Sequence, residues 1–132
     1  MMTEGAHSGT SSGIVPSSFR ICRELLSRIE DERTGLVVPD FHVEVPPSRV
    51  KQVSIAASIL GDTVVGQFPF VEGGHPVAKD APTSEHVLAR TWRPALSITG
   101  ADGLPPTRVA GNVMLPFTKL KMSMRLPPTL DA

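Results

Sequence analysis

Cysteine is nearly missing from the chain: Cys22 stands alone among 132 residues. A single thiol excludes an intramolecular disulfide and any cysteine-based zinc cluster, and it fits a reducing compartment. Long apolar runs are missing too, and none approaches the length of a membrane span, about 18 residues. The N-terminal residues Met1-Met2-Thr3-Glu4-Gly5 lack the basic and then apolar pattern of a signal peptide. Charge of one sign is also absent, because 13 Lys and Arg balance 13 Asp and Glu. Coating nucleic acid or an anionic membrane requires a basic surplus, so neither is expected as a partner. The expected setting is soluble and cytoplasmic, with a surface that packs against protein.

Hydrophobic residues make up 40% of the chain and charged ones 20%, a globular balance. Thirteen prolines and eleven glycines predict frequent turns. The length fits one domain over residues 1–132 and is small for a two-domain hydrolase. Residues 5–13 are small and polar and predict a flexible loop. Ile21, Cys22, Leu25, Leu26 and Ile29 form one stripe on a helical period. Pro16 suits the first turn of that helix, Ser17 or Ser18 its cap, and Gly35 a left-handed stop. Leu36-Val37-Val38 is a strand fragment. A second helix is expected from about Ser48, with Val50, Val53, Ile55, Ala56 and Ile59 apolar and Gly61 at its end. Residues 61–80 are expected to be mostly loop. Thr83 or Ser84 can then cap a short helix through Glu85, Val87, Leu88 and Ala89.

The last third alternates like strands. Pro94 to Gly100 is one such segment. Thr118 to Leu126 is the clearest, with Leu120, Met122, Met124 and Leu126 toward a core and Lys119, Lys121, Ser123 and Arg125 outward. One-sided strands with helices on the other face predict an α+β fold with an open antiparallel sheet.

No self-contained catalytic constellation is visible. Asp40-Phe41-His42-Val43-Glu44 places polar side chains two apart in a proline-bounded stretch, the pattern of a solvated surface. His75 and His86 have the context of surface residues. Ser8 lies beside His7, yet sequence adjacency makes no nucleophile–base pair, and no motif positions an acid to complete a triad. The Gly-rich pieces lack the lysine and helix of a phosphate loop. His7, Asn112 and Arg125 stand out. Each has a plain structural reading: a solvated histidine, a turn asparagine, and a strand arginine pairing across the sheet. Their chemistry is nonetheless coherent as a set. An arginine fork clamps a carboxylate, and an imidazole and an amide can hydrogen-bond a developing oxyanion.

At these residues the chain resembles a known family. His7-Ser8-Gly9, with Gly13-Ile14-Val15-Pro16-Ser17-Ser18 running into the first helix, is similar to the start of the lid domain of M20-family metallopeptidases, those of carnosine-dipeptidase type above all. Arg90-Thr91-Trp92-Arg93-Pro94-Ala95-Leu96-Ser97-Ile98-Thr99-Gly100 resembles the family's Trp-x-x-Pro-x-Leu-x-(Ile/Leu)-x-Gly strand. Gly111-Asn112-Val113 and Met124-Arg125-Leu126-Pro127-Pro128 resemble its turn and its Arg-Leu-Pro strand end. Residues 40–85 match least.

The resemblance implies a ferredoxin-like lid, a four-stranded antiparallel sheet with two helices on one face, that also pairs two subunits. This chain would hold the sheet only in part, since the family's second long helix and an edge strand should follow Pro128. The resemblance further implies that His7 reaches into the partner subunit's active site to stabilise the tetrahedral oxyanion. Asn112 would then bind a substrate oxygen, and Arg125 the substrate's terminal carboxylate. Family chemistry uses two metal ions, usually zinc, with a bridging water and a general-base glutamate. The motifs that hold them belong to a separate catalytic domain and do not occur in this sequence, which therefore implies no metal ligand and no cofactor in this chain. Two functions follow. One is a dimerisation and substrate-contacting lid, inactive alone, acting on peptides or acylated amino acids only with a catalytic domain. The other is a free-standing interaction module that keeps the fold and self-associates through a sheet edge or its helices.

Overall fold

The structure is a computed structural model and describes residues 1–131. It is a mixed α+β fold with two small antiparallel two-stranded sheets, and it divides into two compact units. The first comprises Met1–Glu32 and Leu96–Ser123; the second comprises Arg33–Ala95 and the segment from Met124 onward.

In the first unit, β1 (Ala6–His7) pairs with β3 (Val113–Met114) in antiparallel register, Ala6 opposite Met114 and His7 opposite Val113. Strand β2 (Ala95–Asp102) pairs with β4 (Lys119–Arg125). The four strands thus form two ladders where the resemblance implied one sheet. With two residues each, β1 and β3 are too short to carry a wider ladder. Residues 5–13 are ordered rather than a flexible loop, because α1 (Ser8–Ser11) follows directly on β1. Gly5 permits this pairing, since a Cβ there would lie 2.9 Å from Val113 Cγ1. Helix α2 (Ser18–Leu26) has Ser17 at its N-cap position, so Pro16 lies before the first turn rather than in it, and neither serine caps the helix by a side-chain bond. Ser18 is instead buried and bonded to Leu115 O (3.1 Å) and Thr118 Oγ1 (3.0 Å), which fastens the helix to the β3–β4 connection. Gly35 does adopt a left-handed φ of 67°, yet α2 has already ended at Leu26.

The second unit holds the core. Helix α3 (Pro47–Leu60) begins with proline in its first turn, where no amide donor is needed, and ends at Gly61, whose φ is positive. A short helix, α4 (Thr63–Gly66), interrupts the expected loop, and α5 (Thr83–Thr91) follows. Val53, Ala57, Val64, Val87 and Leu88 form the core, with Val45 and Trp92 packed against it. Val53 and Ala57 are four apart and share one face of α3, whereas Ile55 and Ile59 lie on another and stay exposed. The strand expectation needs a similar correction. Leu120 and Met124 are half-buried, but Met122 and Leu126 are exposed, so the apolar side of β4 is covered only in part.

This distribution predicts two unlike responses to truncation. Leu88→Ala should destabilise the second unit by about 2–5 kcal/mol, as buried leucine deletions do. Ile59→Ala, at a position 79% exposed, should change stability by less than about 0.5 kcal/mol. Urea unfolding followed by fluorescence of Trp92, the chain's single tryptophan, measures both.

Candidate functional site

His7 is held on both of its polar ends. Its backbone lies in the β1–β3 ladder, and its carbonyl accepts hydrogen bonds from Thr10 Oγ1 (2.9 Å) and Ser11 Oγ (3.0 Å). As the N-cap of α1, its side chain accepts the Gly9 amide at Nδ1, at 3.0 Å. A backbone N–H only donates, so Nδ1 is the acceptor, and the neutral ring carries its proton on Nε2. The ring is solvent-exposed and therefore presents an oriented N–H donor outward. Gly9 makes this possible in a second way. A Cβ there would lie 3.1 Å from both Nδ1 and Cε1 of the imidazole.

Asn112 is brought beside this histidine through the backbone. Its carbonyl accepts the Ser8 amide at 2.9 Å, on the segment that leads into β3. Its side-chain amide is exposed and hydrogen-bonds no other described residue. Both groups belong to the first unit.

Arg125 lies at the end of β4 in the second unit. It does not pair with an acidic side chain across the sheet, the plain reading of a strand arginine. Its Nη1 donates to the Arg90 carbonyl at 3.1 Å, and no carboxylate among the described residues neutralises it. A guanidinium steadied by one carbonyl keeps further N–H donors for an incoming carboxylate.

The residues present do not fit a metal centre. Among the described residues no group of three or more His, Cys, Asp or Glu could hold an ion. His42 is engaged through Nε2 with the Val37 carbonyl (3.0 Å), and His75 through Nδ1 with the Pro76 carbonyl (2.7 Å). No described helix is long and apolar enough to cross a membrane.

Sequence reasoning singled out His7 but missed what positions it. The spacing His7-x-Gly9 was the available signal, since a side chain that caps its own helix reaches the amide two residues on. Gly9→Ala should therefore disturb the ring while leaving the fold intact. The expected outcome is a changed imidazole ¹⁵N shift pattern at His7, with the amide spectrum of the second unit unaltered. An unchanged His7 pattern would contradict the positioning role.

No family model matches the chain, and no curated protein sequence does. Solved structures do match. Human carnosine dipeptidase 1 superposes with a TM-score of 0.64 at 22% identity, covering 99% of this chain and 27% of its own. The dipeptidase Dug1p from Saccharomyces cerevisiae gives 0.58 at 20% identity, covering 99% of this chain and 27% of that one. The M20 family metallo-carboxypeptidase Sso-CP2 from Sulfolobus solfataricus gives 0.65 at 15% identity, with 98% and 33% covered. The chain spans a third or less of the length of these proteins, and its fold is that of a segment of M20-type peptidases.

Proposed function

We propose that this chain is the lid and dimerisation part of a di-zinc M20-type peptidase or amidohydrolase. One observation carries the reading: three peptidases each cover 98–99% of this chain, which in turn covers only 27–33% of theirs. On this reading the metal ions and the general base lie outside this chain. His7 of one subunit donates its Nε2 proton toward the oxyanion in the partner's site. Asn112 contributes its free amide to a substrate oxygen, and Arg125 clamps the substrate carboxylate. The imidazole orientation set by Gly9 and the unneutralised guanidinium of Arg125 support these roles. Exposed apolar side chains such as Ile14 and Ile59 suit association with a second copy. They also favour the second reading, a free-standing module that self-associates without hydrolysis. Metal-ligand motifs in the adjoining coding sequence, in the same frame, separate the two.

In an enzyme that contains this chain, His7→Ala should lower kcat by about 100-fold or more, the usual cost of losing an oxyanion donor. Arg125→Ala should raise KM by about 10- to 100-fold, the cost of losing charge-assisted hydrogen bonds to a carboxylate. Metal content should be unaffected in both. Unchanged kinetics in both variants would overturn the assignment. The 132-residue chain alone, supplied with zinc, should hydrolyse no dipeptide and show no stoichiometric tight zinc by calorimetry.

A further inference from the structure

The second unit contains a cavity that the site described above does not use. Its volume is about 360 Å³, within the range of roughly 300–1,000 Å³ typical of small-molecule sites. Val64 and Val65 of α4, Phe68, Phe70 and Val77 line its walls. The two phenylalanines meet edge to face, with centroids 6.4 Å apart at 72°. The loop that carries these walls is set by two glycines. Gly73 has a φ of 76°, and a Cβ on Gly74 would lie 2.9 Å from the Val71 carbonyl. The cavity's shape is thus fixed by backbone geometry that other residues adopt poorly.

The polar lining is one-sided in charge. His75, His86 and Arg90 border the cavity, and no aspartate or glutamate does. His86 is half-buried on α5, and its imidazole hydrogen-bonds no described residue. Arg90 has no carboxylate partner among the described residues, while its backbone carbonyl is taken by Arg125. A chain of zero net charge has thus gathered a guanidinium and two imidazoles at an apolar hole without a counter-charge. Arg90 is exposed, and its guanidinium keeps N–H donors free for a charge-assisted hydrogen bond to an anionic group that enters beside the apolar walls.

We propose that this cavity binds a small apolar carboxylic acid. Its aryl or alkyl part lies against the valine and phenylalanine walls, and its carboxylate meets Arg90 and the imidazoles. The same chemistry describes a free organic acid and the C-terminal apolar residue of a peptide.

Titration of the 132-residue chain with 3-phenylpropionate, followed by ¹H–¹⁵N spectra, tests this. Saturable shifts centred on Val65, Phe68, Val77 and Ala89 are expected. The neutral amide of the same acid should bind the wild-type chain about tenfold more weakly or worse. Arg90→Gln should give a similar loss, since it removes the charge and keeps the carbonyl used by Arg125. Ala89→Leu adds volume at the lining and suits a helix, so it should abolish binding with an unchanged far-UV circular dichroism spectrum. N-Acetylphenylalanine separates the sources: binding as tight as the free acid supports a peptide C-terminus, and much weaker binding supports a free acid. Equal binding of acid and amide, saturation with shifts elsewhere, or no saturation at millimolar acid would each overturn the proposal.

Discussion

The pairing of two residues with two others, Ala6 with Met114 and His7 with Val113, sets up most of what is chemically distinctive in the first unit. It joins segments more than a hundred positions apart in the chain, so its few hydrogen bonds carry a large loop-closure cost. Neighbouring bonds share that cost. The Ser8 amide on the Asn112 carbonyl extends the ladder, and Ser18 ties α2 to the far side of β3. With the backbone of His7 fixed, its carbonyl and Nδ1 both turn inward to cap and brace α1. The Nε2–H is what remains of the ring, and with the imidazole exposed it faces solvent.

Burial is thin throughout, and this explains how much of the fold was legible. Helices α3 and α5 and strands β2 and β4 were readable because periodicity and proline or glycine stops agree with the backbone. Which side chains those elements bury was less readable. Met122 obeys the same alternation as Leu120 and Met124, yet it is exposed because nothing described covers that part of the strand. Ile55 and Ile59 add apolar character to α3 without belonging to the Val53–Ala57 face. A pattern records that a residue is apolar; only packing decides whether a partner surface reaches it.

The site was legible in its members and not in its supports. His7, Asn112 and Arg125 carry side chains whose chemistry can be named from the sequence. Gly9 resembles any loop glycine until the imidazole is seen 3.1 Å from where its Cβ would be. Arg125 resembles any outward strand arginine until its partner proves to be a carbonyl rather than a carboxylate. Residues 5–13 misled for the same reason: small polar residues without periodicity are also what a two-residue strand running straight into a one-turn helix requires.

Thin burial and exposed chemistry are two sides of one constraint. An N–H donor in bulk water stabilises an oxyanion weakly, because solvent screens it and competes for it. The same donor in a water-excluded site is worth several kcal/mol. His7 is exposed, Asn112 is exposed, and Arg125 is exposed, so in the isolated chain none of them has the environment its proposed role demands. Supplying that environment takes a second surface that excludes water from them. Uncovered apolar side chains, such as Ile14 in the unit that carries His7 and Asn112, are the kind that such a surface would bury. On this view the small core is not a defect of folding. Apolar area withheld from the interior remains available for association, and association is the step that would turn oriented donors into effective ones.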